Sequence, residues 1–151
     1  MDGNIRLLQD SDLDEVANLF TKVFNSEPWS EPWNFETSYK RLLDISKTPG
    51  YIGIGYFNQN NQLIGFLVGN EEQWADSKRF YINEICVLTN IQQKGIGTSL
   101  LNYLKRILIE RKIDGAYLST EKGERKPESF FEKNGYITNK SRIYMSMKIS
   151  Y

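Results

Sequence analysis

The chain offers few groups that can do chemistry. It has one cysteine, Cys86, and no histidine among 151 residues. A disulfide within the chain is impossible, a Cys/His metal cluster cannot form, and Ser-His or Cys-His catalytic pairs are ruled out. Proton transfer then falls to Glu, Asp, Tyr, Lys, Cys or ordered water. Glu84 is the carboxylate that stands out, because it interrupts the apolar run FYINEICVL at residues 80–88. Burial there would raise its pKa and suit it to act as a base, directly or through water. The other reading is a charge at the open end of a sheet, or a partner for a nearby basic residue. Strand alternation puts Glu84 and Cys86 on one face and Asn83 and Ile85 on the other. Cys86 reads as a small core residue, since buried free cysteines are inert.

A second group follows that run: Gln92, Gln93, Lys94, Gly95, Ile96, Gly97 and Thr98. After it Ile96, Leu100, Leu101, Leu104, Ile107 and Leu108 recur by threes and fours, which predicts an amphipathic helix. The first N–H groups of a helix lack partners and carry the positive end of its dipole. Glycines let phosphate oxygens approach them, and Lys94 adds positive charge. The plainer reading is a glycine turn that only redirects the chain. A dinucleotide fingerprint would need a third glycine where Leu100 stands, and a P-loop would need its lysine after the glycine rather than at Lys94. What remains is Gln-x-x-Gly-x-Gly between a strand and a helix.

A third group is the loop NSEPWSEPW at residues 25–33, where two prolines break regular structure. Trp29 and Trp33, with Glu27 and Glu31, read either as an aromatic, acidic wall for a cationic amine or as indoles plugging the core beside solvated glutamates.

With Gln92, Gly95 and Gly97 in these places, the chain resembles the GNAT family of acyl-CoA-dependent N-acyltransferases, whose pyrophosphate signature is Gln/Arg-x-x-Gly-x-Gly/Ala. The run Phe130-Phe131-Glu132-Lys133-Asn134-Gly135-Tyr136 is similar to a second family segment, Phe-Tyr-Glu-Lys-x-Gly-Phe. The resemblance implies that backbone N–H groups of Gln93, Lys94, Gly95, Gly97 and Thr98 receive the pyrophosphate of acetyl-CoA, the acyl donor. Gln92 would orient the loop or touch the phosphates. It also implies that main-chain groups of Ile85 and Val87 pair with the pantetheine arm, with a Val87 N–H polarising the thioester carbonyl. The chain departs from the family at Phe131, where a tyrosine usually protonates the leaving thiolate. It departs also at Glu124, where asparagine is frequent, and at Thr89, where proline is. Tyr136 and Tyr144 are substitutes for the missing acid, although each reads more readily as a packing tyrosine.

The elements that must position these groups follow from the rest of the pattern. Residues 5–8 predict a strand, and Ser11 or Asp12 a helix N-cap. Leu13, Val16, Ala17, Leu19, Phe20, Val23 and Phe24 give a helical stripe. Residues 35–46 predict a second helix, and 51–57 and 63–68 a hairpin joined at Asn58–Asn61. Residues 71–79 read as a polar connection. Strands at 116–120 and 142–149 flank a short helix at 129–134, capped by Gly135; a further strand could lie at 136–137. The resulting fold class is α/β, a mixed, mostly antiparallel central sheet with helices on both faces, in a single domain spanning 1–151.

Composition bounds the partners. Nineteen Lys and Arg balance nineteen Asp and Glu, and 40% of residues are hydrophobic. There is no basic excess for nucleic acid or a membrane surface, no run that spans a bilayer and no signal peptide, so a cytoplasmic protein is expected. The activity implied by the resemblance is acetyl transfer from acetyl-CoA, without a metal, to a primary amine on a small cationic molecule or a peptide. The alternative is a non-catalytic acyl-CoA-binding module on the same fold, for which Phe131 argues. Homodimers are common in the family, but nothing in the sequence specifies an interface.

Overall fold

The computed structural model describes residues 3–91, 94–123 and 127–151. It divides into two compact units, Met1–Leu118 and Ser119–Tyr151. The first unit is built on a sheet in the order β1 (Asn4–Leu7), β2 (Tyr51–Phe57), β3 (Leu63–Gln73), β4 (Lys78–Val87), β5 (Gly115–Tyr117). Neighbouring strands are antiparallel except β4 and β5, which are parallel. A parallel pair needs a crossover, and α3 (Ile96–Glu110) supplies it.

Helices α1 (Leu13–Phe24) and α2 (Phe35–Ser46) carry their apolar residues three and four apart. Val16, Phe20 and Val23 of α1 and Leu42 and Ile45 of α2 form one buried cluster with Phe57, Leu63, Phe66, Val68 and Cys86 of the sheet. Full burial of each such side chain is worth about 1.5–3 kcal/mol. The hydroxyls of Thr21 and Ser38 lie 2.6 Å apart, so the polar groups between the helices satisfy each other. Asn34 starts α2: its side chain accepts from the Thr37 N–H at 2.9 Å.

α3 packs on the opposite face. A Cβ on Gly65 would meet Ile96 and Leu100 at 3.0 and 3.4 Å, whereas the next residue, Phe66, lies in the α1–α2 cluster. The bare glycine lets the first turn of α3 settle against β3. The hairpin between β2 and β3 turns at residues 58–62, where Asn58 Oδ1 accepts from the N–H groups of Asn60 and Gln62 and Asn61 takes φ 60°.

Three expectations differ. The polar stretch 71–79 is mostly strand: β3 runs on to Gln73 and β4 begins at Lys78, with the turn between them. Strand pairing is made by the backbone, so polar side chains on two exposed strand ends do not prevent it. Asp12 is the N-cap residue of α1, as expected, but its side chain makes no cap hydrogen bond there. It ends a short 3-10 turn at residues 10–12 and binds Arg6 instead. In the second unit neither 136–137 nor 142–149 is a strand. Ile143, Met145 and Met147 alternate as a strand would, yet each is at least 80% exposed. Alternation creates a face, but a strand exists only where another backbone pairs with it.

That second unit contains α4 (Pro127–Lys133). Gly135 follows with φ 91°, and the Tyr136 N–H closes back on the Phe131 carbonyl at 3.0 Å, the C-terminal glycine cap anticipated from Asn134-Gly135. Phe131 is buried, with its ring against Phe130 and Tyr136. Among the described residues no helix is long and apolar enough to cross a membrane.

Candidate active site

β4 sets the geometry of the site through one irregularity. Val68 pairs with Glu84 and Gly69 with Ile82, so Asn83 is an extra residue. Such a bulge reverses which face the following side chains take. Phe80 and Ile82 are buried outside the α1–α2 cluster, while Cys86 lies inside it and Glu84 reaches α2. Without the bulge, residues 80, 82, 84 and 86 would share one face. Asn83 Oδ1 is buried and has no hydrogen-bond partner among the described residues.

A second feature is that β4 outruns its parallel neighbour. β5 pairs with Arg79, Phe80 and Tyr81. Beyond Tyr81 β4 continues to Val87 without β5 beside it. Ile85 and Val87, expected along a donor's arm, lie in this extension, as does Glu84.

Glu84 is held by Arg41 of α2. The Arg41 Nε and Nη2 both donate to Oε1, at 3.0 and 2.6 Å. Among the described residues no donor reaches Oε2. The Glu84 side chain is 18% exposed and that of Arg41 39%. Burial pushes the Glu84 carboxyl above the usual range; the Arg41 guanidinium opposes this, and the nearby Glu31 charge adds to the rise. Two residues on, burial and the Glu84 charge push the Cys86 thiol well up. That thiol is a packing group, as its place in an apolar strand suggested.

After β4 the chain makes a 3-10 turn at Thr89–Ile91 and enters α3 through Gly95, whose φ is 83°. Among the described residues nothing lies within 4 Å of where a Gly95 Cβ would stand. Among the described residues no side chain caps the start of α3, and its first turn holds no acidic residue. Gly97 and Thr98 fall in that turn, whose N–H groups have no intrahelical acceptors. Lys94 is exposed beside it. Gln92 and Gln93 lie outside the described residues, as does Glu124.

Trp33 packs edge-on against Phe20 at 4.8 Å and Trp29 against Phe24 at 5.3 Å. Both indoles therefore cover the core, but Trp33 also borders an open groove of about 420 Å³ that Thr37, Lys40, Arg41 and Ile45 of α2 help to line. The indole N–H of Trp33 donates to Glu31 at 3.2 Å. Nothing in the sequence singles out Arg41. It is separated from Glu84 by 43 positions. The available signal was a lone carboxylate in an apolar strand, which requires a cation opposite, but any of nineteen basic residues could have supplied it. In the second unit Phe131 has no proton to give. Of the two tyrosines considered as replacements, Tyr136 is half-buried with its hydroxyl pKa raised, and Tyr144 is 87% exposed.

The sheet, its helices on both faces and the glycine-led helix after a bulged strand define the fold of acyl-CoA N-acyltransferases. The sequence pattern of the acetyltransferase (GNAT) family matches residues 13–136, and the chain belongs to that family. Solved structures agree on the fold. A possible acetyltransferase from Clostridium difficile 630 superposes with a TM-score of 0.80 at 20% identity, covering 98% of this chain and 99% of its own. A GNAT family acetyltransferase from Staphylococcus aureus gives 0.74 at 19% identity, covering 97% and 100%. An aminoglycoside acetyltransferase from an uncultured soil metagenomic sample, solved in complex with sisomicin, gives 0.75 at 18% identity, covering 98% and 97%. No curated protein matches the chain by sequence.

Proposed function

We propose that this chain transfers the acetyl group of acetyl-CoA to a primary amine by direct attack, with Glu84 as the base. The observation that carries the reading is the position of Glu84: a mostly buried carboxylate of raised pKa on the part of β4 that β5 leaves uncovered. A donor fits the residues present, because the helix start beyond β4 is uncapped and open above Gly95. Lys94 and the N–H groups of Gly95, Gly97 and Thr98 would take the pyrophosphate there, joined by Gln92 and Gln93 as the family pattern implies. The main chain of Ile85 and Val87 would run beside the donor's arm. When bound, acetyl-CoA supplies an activated carbonyl and a thiolate leaving group.

Glu84 removes the proton that the amine must lose as its nitrogen bonds to the acetyl carbon, and Oε2 is the oxygen available for it. Glu31 and the Trp33 ring offer charge and π-density to a cationic acceptor beside the groove. The similar fold found with sisomicin bound supports a small cationic molecule over a peptide. With Phe131 in the family's tyrosine position, water protonates the departing thiolate, whose modest basicity tolerates it. Phe131 also favours a second reading, an acyl-CoA-binding module without turnover.

The test is a thermal melt with and without millimolar acetyl-CoA, beside a Gly97→Glu control. Saturation at a hundredfold over Kd adds about 2.7 kcal/mol, or roughly 5–10 °C for a chain of this size. The wild type should show that shift and Gly97→Glu should lose it. An unchanged melt would remove the donor from the proposal. Free-thiol release over an amine panel then separates an enzyme from a binding module.

A further inference from the structure

We propose that Arg41 is a positioning residue for Glu84: from α2 it clamps one carboxylate oxygen, keeps the side chain ionised in a buried setting, and leaves the other oxygen unengaged for the proton. The proposal rests on Glu84 being the base of the acetyl-transfer reading above. Its geometry is specific. Both Arg41 donors converge on Oε1, at 3.0 and 2.6 Å, instead of spreading over the two oxygens as the guanidinium fork permits. A fork-to-fork pair would engage both oxygens, whereas here Oε2 takes no part in the ion pair. Arg41 also lines the groove beside Trp33, so one side chain touches both the base and the acceptor's approach.

The surroundings explain why a clamp is needed. Glu84 faces the charge of Glu31 from the loop between α1 and α2, the Arg41 guanidinium from α2, and the protonated thiol of Cys86 on its own strand. Val68 is its apolar partner on β3. Of these groups Arg41 alone favours the ionised carboxylate; burial and Glu31 both disfavour it. Removing Arg41 leaves the last two unopposed, so Glu84 would hold its proton to higher pH and swing free of a fixed orientation.

The experiment compares the wild type with Arg41→Gln and Arg41→Lys. Carboxyl carbon NMR follows the titration of Glu84 in the ligand-free protein, assigned with Glu84→Gln. Initial rates against pH follow turnover with a working amine. In Arg41→Gln the Glu84 titration and the acid limb of kcat/KM should both move to a pH higher by about one or more. kcat at neutral pH should fall roughly tenfold to a hundredfold. The melt shift with acetyl-CoA should be unchanged. Arg41→Lys restores a charge without the two-donor fork, so it should return the titration toward wild type while kcat stays low. A Glu84 titration that does not move in Arg41→Gln overturns the proposal. So does a fall in kcat with an unmoved acid limb, which would make Arg41 a packing residue. If the titration moves but the wild type turns over no amine, the clamp stands and the acetyl-transfer reading fails.

Discussion

Arg6–Asp12 and Arg41–Glu84 are both arginine–carboxylate pairs with the acid more buried than the base, yet they are shifted in opposite directions. Asp12 receives Arg6 Nη1 on Oδ2 at 2.8 Å and Nη2 on Oδ1 at 3.0 Å, and the Gln9 N–H on Oδ2 at 2.7 Å. Each oxygen is engaged, and the hydrogen bonds from Arg6 hold the carboxyl below its usual range despite burial. Glu84 has two donors on one oxygen, and burial leaves its carboxyl above the usual range. At Asp12 the hydrogen bonds from Arg6 outweigh burial, whereas at Glu84 burial outweighs the two donors of Arg41. A carboxylate whose oxygens are all engaged fastens the chain, here tying β1 to the turn before α1. One left half-engaged retains affinity for a proton, which is the property a base requires.

The strongest way to break the comparison is to remove the carboxylate from each pair. Glu84→Gln keeps the shape and an acceptor for Arg41 but cannot take a proton. Turnover should fall about 10²–10⁴-fold, with the acetyl-CoA melt shift intact. Measured by thiol release at saturating donor, a loss under threefold would show that Glu84 is not the base. Asp12→Asn, in contrast, should leave kcat alone and cost stability.

For Asp12 the sign is fixed by its lowered pKa. Its stabilising effect is complete above the unfolded value near 3.8 and is lost as pH falls through the lower folded value. Asp12→Asn should therefore lower stability by about 1.5–3 kcal/mol at pH 7, a fall in Tm of several degrees. The gap should close as melts are repeated toward pH 2. A gap of constant size across pH would mean that the loss is one of packing rather than charge.

Much of this contrast was legible in the sequence, but unevenly. Glu84 was visible because a charged residue in an apolar strand is costly without a purpose or partner. The glycine-led start of α3 was visible because Gly95 and Gly97 sit between strand and helix patterns that are both local. The face of Glu84 relative to Cys86 followed from alternation, since the bulge precedes both residues; the reversal relative to Phe80 and Ile82 did not, because a bulge depends on the partner strand's register. Arg41 was hidden for the same reason: nothing within α2 says what will stand opposite it. The two readings of the indoles are not exclusive: one edge of Trp33 packs on Phe20 and another borders the groove. The strand anticipated at 142–149 shows the reverse failure, where the local pattern is clear but the described residues of the second unit hold no strand.

The smallest expected effect sharpens the comparison most, because it concerns the sign of a stability change. A folded-state pKa raised above the ordinary 4.5 means that ionising Glu84 costs the folded protein more than the unfolded one. That cost is absent below the unfolded pKa and grows as pH rises through the folded pKa. Glu84→Gln removes it, while the amide oxygen still accepts from Arg41. At pH 7 the variant should melt between unchanged and about 1 kcal/mol more stable than wild type, and the advantage should disappear below about pH 4. This is opposite in sign to Asp12→Asn, although both gaps close as the pH falls. If Glu84→Gln instead destabilises at pH 7 as strongly as Asp12→Asn, the two pairs are equivalent fasteners, and the distinction between a satisfied carboxylate and a poised one is wrong for this protein.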